Sequence, residues 1–398
     1  MKKLLMLGGS HFQVPAIKKA REMGHYVITC DYIEENPGHK YADEYYNVST
    51  TDKDDVLSLA KSLKIDGIVC YASDPAAPTA AYVAEKLGLP TNPYKSVKIL
   101  TNKDLFRDFL ATNGFNVPKA KGYDSIEEAK IDFHHFKMPV MVKPVDSSGS
   151  KGVSKIDSID LLQEKVEYAM GFSRIKRFII EEYVEKYGYQ IAGDGFSVNG
   201  KLVFRCFAND HFPTSNLNFV PVGASWPYIM PKKIHDKIHD EIQRALNLLN
   251  MKTGAYNFDI RIDNKENVYL MEIGPRNGGN FLPQVIQYAT GVDMVEYTIK
   301  AALGEDCSDL KLVEPEGYWS VYMIHSKKNG IFKNIEINYE IEKNNIVEYQ
   351  LYVKPGEKIS AFTGSNMTLG MMILKFFSES EMLEKMKTLS NFVNIIVE

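Results

Sequence analysis

The chain has 398 residues, 44% hydrophobic and 25% charged, an ordinary globular make-up with length for about two to three domains. Its 47 basic and 51 acidic residues leave a formal charge of −4 without a dense basic run, which excludes a phosphate-neutralising nucleic-acid surface. No apolar run is long enough to span a membrane, and the short stretch Leu4–Leu7 before Gly8-Gly9 cannot serve as a signal-peptide core. Cys30, Cys70, Cys206 and Cys307 lie far apart without metal-ligand spacing, as reduced thiols of a cytoplasmic protein do.

In chain order, Lys3 to Leu7 is an apolar strand ending in Gly8-Gly9-Ser10, followed by a helical pattern at Val14, Ile17, Ala20 and Met23. A strand Tyr26 to Cys30 closes on Asp31, and similar units follow over Val56 to Leu63, Gly67 to Tyr71 and Ala76 to Leu87. Strands alternating with helices predict a parallel sheet covered on both faces, and Gly88-Leu-Pro-Thr-Asn-Pro93 reads as a linker. Ser96 to Asn113 is predicted helical with Lys103 and Arg107 on its polar side, and Phe133 to Asp146 is predicted as a strand. Val153 to Ile156 pairs with it, a helix covers Asp160 to Met170, and Arg177 to Tyr183 is a strand. Two more strands, Tyr189 to Val198 and Leu202 to Ala208, are joined by Asn199-Gly200. A helix from Pro231 to Asn250 leads to a hairpin, and Val285 to Leu303 is helical up to Gly304. From Glu314 the chain is strand-rich, with a helix Glu379 to Leu389 and a last strand. The expected domains are 1–93, 94–312 with a lid at about 115–183, and 313–398, an α/β (α+β) organisation.

Four stretches carry chemistry. In the hairpin, Asp259 and Glu272 lie on opposite strands, so pairing brings two carboxylates side by side. Like charges so placed call for a cation, and oxygen ligands suit Mg²⁺ or Mn²⁺; the plain alternative is an acidic surface turn. Arg276 and Gly278-Gly279 follow at once. Upstream, Lys143 sits inside an apolar strand, where burial needs a compensating anion unless its stem snorkels to water. Asp146-Ser147-Ser148-Gly149-Ser150-Lys151-Gly152 then supplies small residues and donors for an anion, or is simply a flexible turn. Glu181-Glu182-Tyr183-Val184 ends the next strand, with groups for an adenine edge or for solvent.

The order of these elements resembles the ATP-grasp superfamily, in its carbamoyl-phosphate-synthase-like and phosphoribosylglycinamide-synthetase-like branch. Met138-Pro-Val-Met-Val-Lys-Pro-Val-Asp-Ser-Ser-Gly-Ser-Lys-Gly-Val153 carries the resemblance most closely, and the likeness extends over roughly 1–310. It implies an ATP-grasp fold behind an N-terminal Rossmann-like domain, with a small β-rich C-terminal domain. It further implies that Lys103 and Lys143 bind ATP phosphates under the loop Ser147–Gly152, and that Glu181 to Val184 hold adenine, with Glu181 or Glu182 giving the side-chain contact. Asp259 and Glu272 would ligate Mg²⁺ (or Mn²⁺), Arg276 would face the reacting carboxylate, and Arg276 with glycine N–H groups such as that of Gly278 would stabilise the tetrahedral oxyanion. Gly274 stands where many relatives have Asn, with Asn277 or a water as the substitute; the ribose-binding glutamate is Gln190 at best.

The implied function is an ADP-forming carboxylate–amine ligase working through an acyl phosphate, with small-molecule carboxylate and amine substrates and a homodimer as an open assembly state. His11, Asp74, Arg205 and His211 are candidate substrate contacts. A dinucleotide site at Gly8-Gly9 with Asp31 on the ribose lacks the third glycine of its motif. Phosphoribosylglycinamide synthetase is a specific alternative, though Gly8-Gly9 runs into Ser-His-Phe-Gln. A non-catalytic ATP-binding regulatory protein is the second.

Overall fold

The computed structural model describes residues 1–213 and 219–398. The N-terminal sheet has four parallel strands, β1 (Lys3–Leu7), β2 (Tyr26–Asp31), β3 (Glu44–Asn47) and β4 (Gly67–Cys70), in the order β3-β2-β1-β4. Alternation along β1 explains its two covered faces. Leu5 and Leu7 pack with Val56, Ala60 and Val83, whereas Leu4 and Met6 pack with Ala16, Ile17 and Ile299. Ile299 belongs to the helix Met294–Leu303, so a helix far along the chain covers one face of the N-terminal sheet.

The segment expected as a lid carries a separate antiparallel sheet of β5 (Ala120–Tyr123), β6 (Val140–Pro144), β7 (Ser154–Ile156) and β8 (Phe178–Glu182), ordered β5-β8-β6-β7. Tyr123, Val140, Val142, Phe178 and Ile180 bury against Leu162, Val166 and Ala169 of its own helix, giving it a core distinct from its neighbours.

The central sheet has eight strands. They are β9 (Ile191–Val198), β10 (Lys201–His211), β11 (Gly223–Trp226), β12 (Gly254–Ile262), β13 (Val268–Gly274), β14 (Tyr318–Ile324), and later β16 and β18. The remaining strands are β15 (Gly330–Ile337), β16 (Ile346–Leu351), β17 (Lys358–Ile359), β18 (Gly370–Phe376) and β19 (Val393–Val397). Its order is β13-β12-β9-β10-β11-β14-β18-β16, and β17-β15-β19 form a small sheet beside it. The expected boundary at 312/313 therefore runs through a continuous sheet. Pairing of β14 with β11 joins the two parts, and Phe196, Phe204 and Trp226 share one core with Trp319, Ile373 and Met382.

Local departures from the expected elements have local causes. The helix over 96–113 is two, Tyr94–Thr101 and Lys103–Thr112, because Asn102 between them is extended. The helix over 285–303 breaks at Gly291, whose φ of 76° stops it, and the second piece ends at Gly304 with φ 69°. The strand expected over 133–146 is confined to β6, and β11 was not anticipated. Among the described residues, no helix is long and apolar enough to cross a membrane.

One face of the central sheet is closed by the helix Lys232–Leu248. Its stripe Ile234, Ile238, Ile242, Ala245, Leu246 packs on Phe258, Ile260, Ile262 and Leu270, which leaves the alternate residues of β12 for the opposite face. Ile242→Ala should therefore cost about 2–5 kcal/mol and lower the melting temperature. A melting temperature equal to wild type would contradict this packing.

Candidate active site

Asn257, Asp259 and Arg261 lie on the sheet face opposite that helix, where lid, N-terminal domain and C-terminal segment enclose a cleft of about 270 Å³. Register places Asp259 directly across from Glu272, but strict alternation would put Glu272 on the same face as the buried Leu270. A β-bulge resolves the conflict: pairing passes from Asp259↔Glu272 to Ile260↔Leu270, leaving Met271 as the extra residue. The bulge turns Glu272 onto the cleft face.

Arg107 holds that bulge. Its guanidinium is 3% exposed and donates to the Met271 carbonyl at 2.9 Å and to Glu181 Oε2 at 2.9 Å. Glu181 also accepts from Lys143, and both cations, overcoming the opposing effect of burial, hold its carboxyl down to about 2. Burial pushes the Lys143 ammonium down, with Glu181 opposing. Two cations around one carboxylate leave one net positive charge at a lysine that lines the cleft. Arg107 was expected on the polar side of its helix. Its spacing of four from Lys103 does place both on one helix side, and that side faces inward.

Lys103 lies 3.4 Å from Glu272 Oε2, and its Nζ donates to the Ser147 carbonyl at 2.8 Å. Ser147, Ser148, Gly149, Ser150 and Lys151 line the cleft, while Gly152 packs behind against Pro144 and Phe172. Asp146 anchors the loop by accepting from Ser173 Oγ at 2.8 Å and Arg174 N at 3.1 Å. Gly149 has φ 65° and needs to lack a side chain, since a Cβ would lie 2.0 Å from Ser365 Oγ. Ser365 N donates to the Gly149 carbonyl at 3.3 Å, so the C-terminal segment touches the loop.

The carboxylate pair fits a hard divalent cation. Asp259 Oδ1 is buried without a hydrogen-bond partner, and burial, opposed by Arg261 and reinforced by Glu272, pushes its carboxyl up to about 6. Such an oxygen set suits Mg²⁺ or Mn²⁺. Asp210 also lines the cleft, with its carboxyl raised well above the ordinary range by burial and then by Asp259. Arg261 donates to Gln190 Oε1 at 2.8 Å and to the Val184 carbonyl at 3.0 Å. Asp210 and Arg261 are charges within apolar strands, the same signal that marks Lys143, and were missed.

Beyond Glu272, Arg276 is ion-paired with Asp74, which arrives from the end of the N-terminal sheet. The pair rests on Gly274: a Cβ there would lie 2.8 Å from Asp74 Oδ1 and 3.2 Å from Arg276 Cζ. Asp74 thus occupies the space a side chain at 274 would fill. Asn257 lies across from Gly274 on the cleft face and donates to Asp194 at 3.0 Å.

Several expected contacts do not form. Glu181 is buried in its ion pairs with Arg107 and Lys143 and does not face the cleft, and Glu182 Oε1 accepts from Lys137 N at 2.8 Å. Glu182, Tyr183 and Val184 line a neighbouring depression instead of the main cleft. Asn277 Oδ1 accepts from Thr298 at 2.8 Å, which turns it away from the carboxylate pair. The Gly278 N–H donates to Asp194 at 2.8 Å and is not available to an oxyanion. Arg205 lies on the helix side of the sheet, 3.7 Å from Asp236. His211 points away from Asp210 toward Ser225 Oγ at 2.8 Å, and burial holds its pKa down to about 4. His11 stacks on Tyr352 with ring centroids 4.3 Å apart, and its neighbour Phe12 reaches the cleft.

Residues 136–284 match the ATP-grasp domain family. The chain is 27% identical over 327 residues to the uncharacterized protein y4rH of Sinorhizobium fredii, covering 79% of this chain and 66% of that protein. It is 24% identical over 385 residues to a formate-dependent phosphoribosylglycinamide formyltransferase of Prochlorococcus marinus, covering 93% and 94%. Among solved structures, an L-amino acid ligase from Bacillus licheniformis superposes with a TM-score of 0.85 at 20% identity, over 100% of this chain and 99% of that one. Phosphoribosylglycinamide synthetase from Anaerococcus prevotii gives a TM-score of 0.76 at 23% identity, with 100% of both chains covered. Cleft, loop, domain match and fold agree: residues 136–284 match an ATP-grasp domain, and the chain as a whole has the fold of these solved ligases.

Proposed function

We propose that this chain is a carboxylate–amine ligase that forms an amide-type C–N bond through an acyl phosphate, releasing ADP and phosphate. The observation that carries the reading is the cleft face of the bulged hairpin. It aligns Asp259 and Glu272 with Lys103, Lys143 and the Ser/Gly loop on one side, and with Arg276 on the other.

The reaction asks for positioning and charge neutralisation rather than a covalent nucleophile. A substrate carboxylate oxygen bonds to the γ-phosphorus as the bond to the leaving ADP oxygen breaks. The amine nitrogen then bonds to the acyl carbon, phosphate leaves with the acyl C–O bond electrons, and the ammonium proton passes to solvent. Lys103, Lys143 and the donors of Ser147–Lys151 offset phosphate charge, and their low-dielectric setting strengthens that effect. Asp259 and Glu272 would hold Mg²⁺, which when bound would supply further charge neutralisation at the phosphates. Arg276 faces the reacting carboxylate. With Gly278 N–H committed to Asp194, the guanidinium is the donor assigned to the developing oxyanion. The C-terminal contact of Ser365 with Gly149 supports a loop that closes and excludes water from the acyl phosphate.

Phosphoribosylglycinamide synthetase is the specific alternative, supported by the phosphoribosylglycinamide chemistry in the names of similar proteins. ADP release measured with pooled amino acids, amines and small carboxylates tests the class. Turnover with none of them would favour a regulatory ATP-binding protein.

Three variants separate the roles. Glu272→Ala should abolish Mg²⁺-dependent ADP release with the melting curve preserved, and unchanged turnover would remove the hairpin from the metal site. Lys143→Ala should shrink the ATP-induced rise in melting temperature; Glu181 keeps Arg107 as partner, so the unliganded protein should still fold. For Arg276→Ala, ATP binding should persist while kcat for ligation falls by about 10²–10³. Loss of ATP binding instead would place Arg276 with the nucleotide.

A further inference from the structure

The two ends of the cleft differ in charge. Lys103, Lys143 and Lys151 gather at the Ser/Gly loop and the carboxylate pair, the nucleotide end under the ligase reading. Past Glu272 apolar groups (Phe12, Ala72 and Leu282) enter the walls beside Asn257 and Asn280. The side-chain direction of Gly279 meets Ala72 Cβ at 3.7 Å and Phe12 Cδ1 at 4.0 Å, while that of Gly278 meets Asp194 Oδ1 at 2.7 Å, Leu282 at 2.9 Å and Asn257 Nδ2 at 3.0 Å. Phe12 is braced from behind by Tyr352, edge-on with ring centroids 6.2 Å apart. Among the described lining residues, the charges at this end are the ion-paired Asp74 and Arg276, with Lys151 of the loop within electrostatic reach of Asp74. Each member of the ion pair also leaves one buried atom without a partner, the acceptor Asp74 Oδ1 and the donor Arg276 Nε.

We propose that this end of the cleft binds the carboxylate substrate as a zwitterionic α-amino acid with an apolar side chain, and rejects phosphorylated substrates. The proposal rests on the ligase reading for which end holds nucleotide. A zwitterion is itself an electroneutral pair: its carboxylate matches Arg276, its ammonium matches Asp74, and its side chain meets Phe12, Ala72 and Leu282. A phosphate dianion here would find one guanidinium already balanced by a carboxylate, and burying uncompensated charge is strongly unfavourable. Gly274 keeps the pair in place, because any side chain there would push Asp74 off Arg276.

The test is calorimetric titration of the full chain, with Mg²⁺ and ADP present, using L-leucine, O-phospho-L-serine and 4-methylpentanoate. Leucine should bind about 10-fold or more tightly than either, since one comparison replaces the apolar side chain with a phosphate and the other removes the ammonium. Asp74→Asn should weaken leucine binding by about 10-fold while ADP binding holds, and Phe12→Ala should weaken leucine relative to glycine. Equal or tighter binding of phosphoserine, no leucine binding, or leucine binding indifferent to both variants would overturn the proposal. ADP release from ATP run alongside separates the two readings. Turnover with phosphorylated substrates alone would overturn this subsite and leave a ligase. Asp74-dependent leucine binding without ADP release for any amine would support the subsite and remove the ligase.

Discussion

One carboxylate shared by two buried cations holds this site together. Glu181, on the lid strand β8, lies between Lys143 on β6 and Arg107 on the helix Lys103–Thr112, and Arg107 continues to the Met271 carbonyl in the bulge of β13. Removing Glu181 would leave two cations uncompensated away from water, which is far costlier than losing an exposed ion pair, whereas removing either cation leaves a balanced pair. Lid, helix and hairpin are consequently tied at one point. From it Lys143 and Glu272 take their places on the cleft face, and Lys103 starts its helix beside the loop, its N–H donating to the Val145 carbonyl at 2.9 Å.

The cleft is also composite in chain origin. Phe12 and Asp74 come from loops at the ends of N-terminal strands, the carboxylates from the central hairpin, and Ser365 from a segment anchored to the end of β14 by Leu369 N to the Ile324 carbonyl at 2.8 Å and to the residues just after it by Phe362 N to the Ser326 carbonyl at 2.9 Å. The continuous central sheet keeps the last of these in register with the first. A separate C-terminal domain on a linker would not hold Ser365 against Gly149 with the same constancy. Glycine at 274 belongs to this arrangement: its missing side chain is the space in which Asp74 meets Arg276.

How much was legible in the chain can be seen residue by residue. Lys143 inside Met138–Val145 and Asp259 opposite Glu272 were legible, because burying a charge in an apolar strand or pairing two carboxylates is expensive enough to leave a mark in sequence. Most strands and helices were legible for a similar reason, since alternation and the 3.6-residue stripe record which face is buried. Glu181 was noticed but given the wrong partner, as a strand end shows no sign of the arginine that reaches it from 74 positions away. Gly278 was noticed as a loop glycine, but whether its N–H is spent depends on Asp194, 84 residues distant.

The sequence by itself determined the local matters: which segments are strands or helices, where small residues open a loop, and which charges stand in apolar surroundings. These depend on neighbours within a few positions, so periodicity and composition record them. Only the tertiary structure decided partners and facing: the bulge that turns Glu272 toward Asp259, the Arg107 that holds it, and the Asp74 that fills the place above Gly274. Each of these depends on atoms brought within hydrogen-bond reach by packing, and distance along the chain carries no trace of that approach.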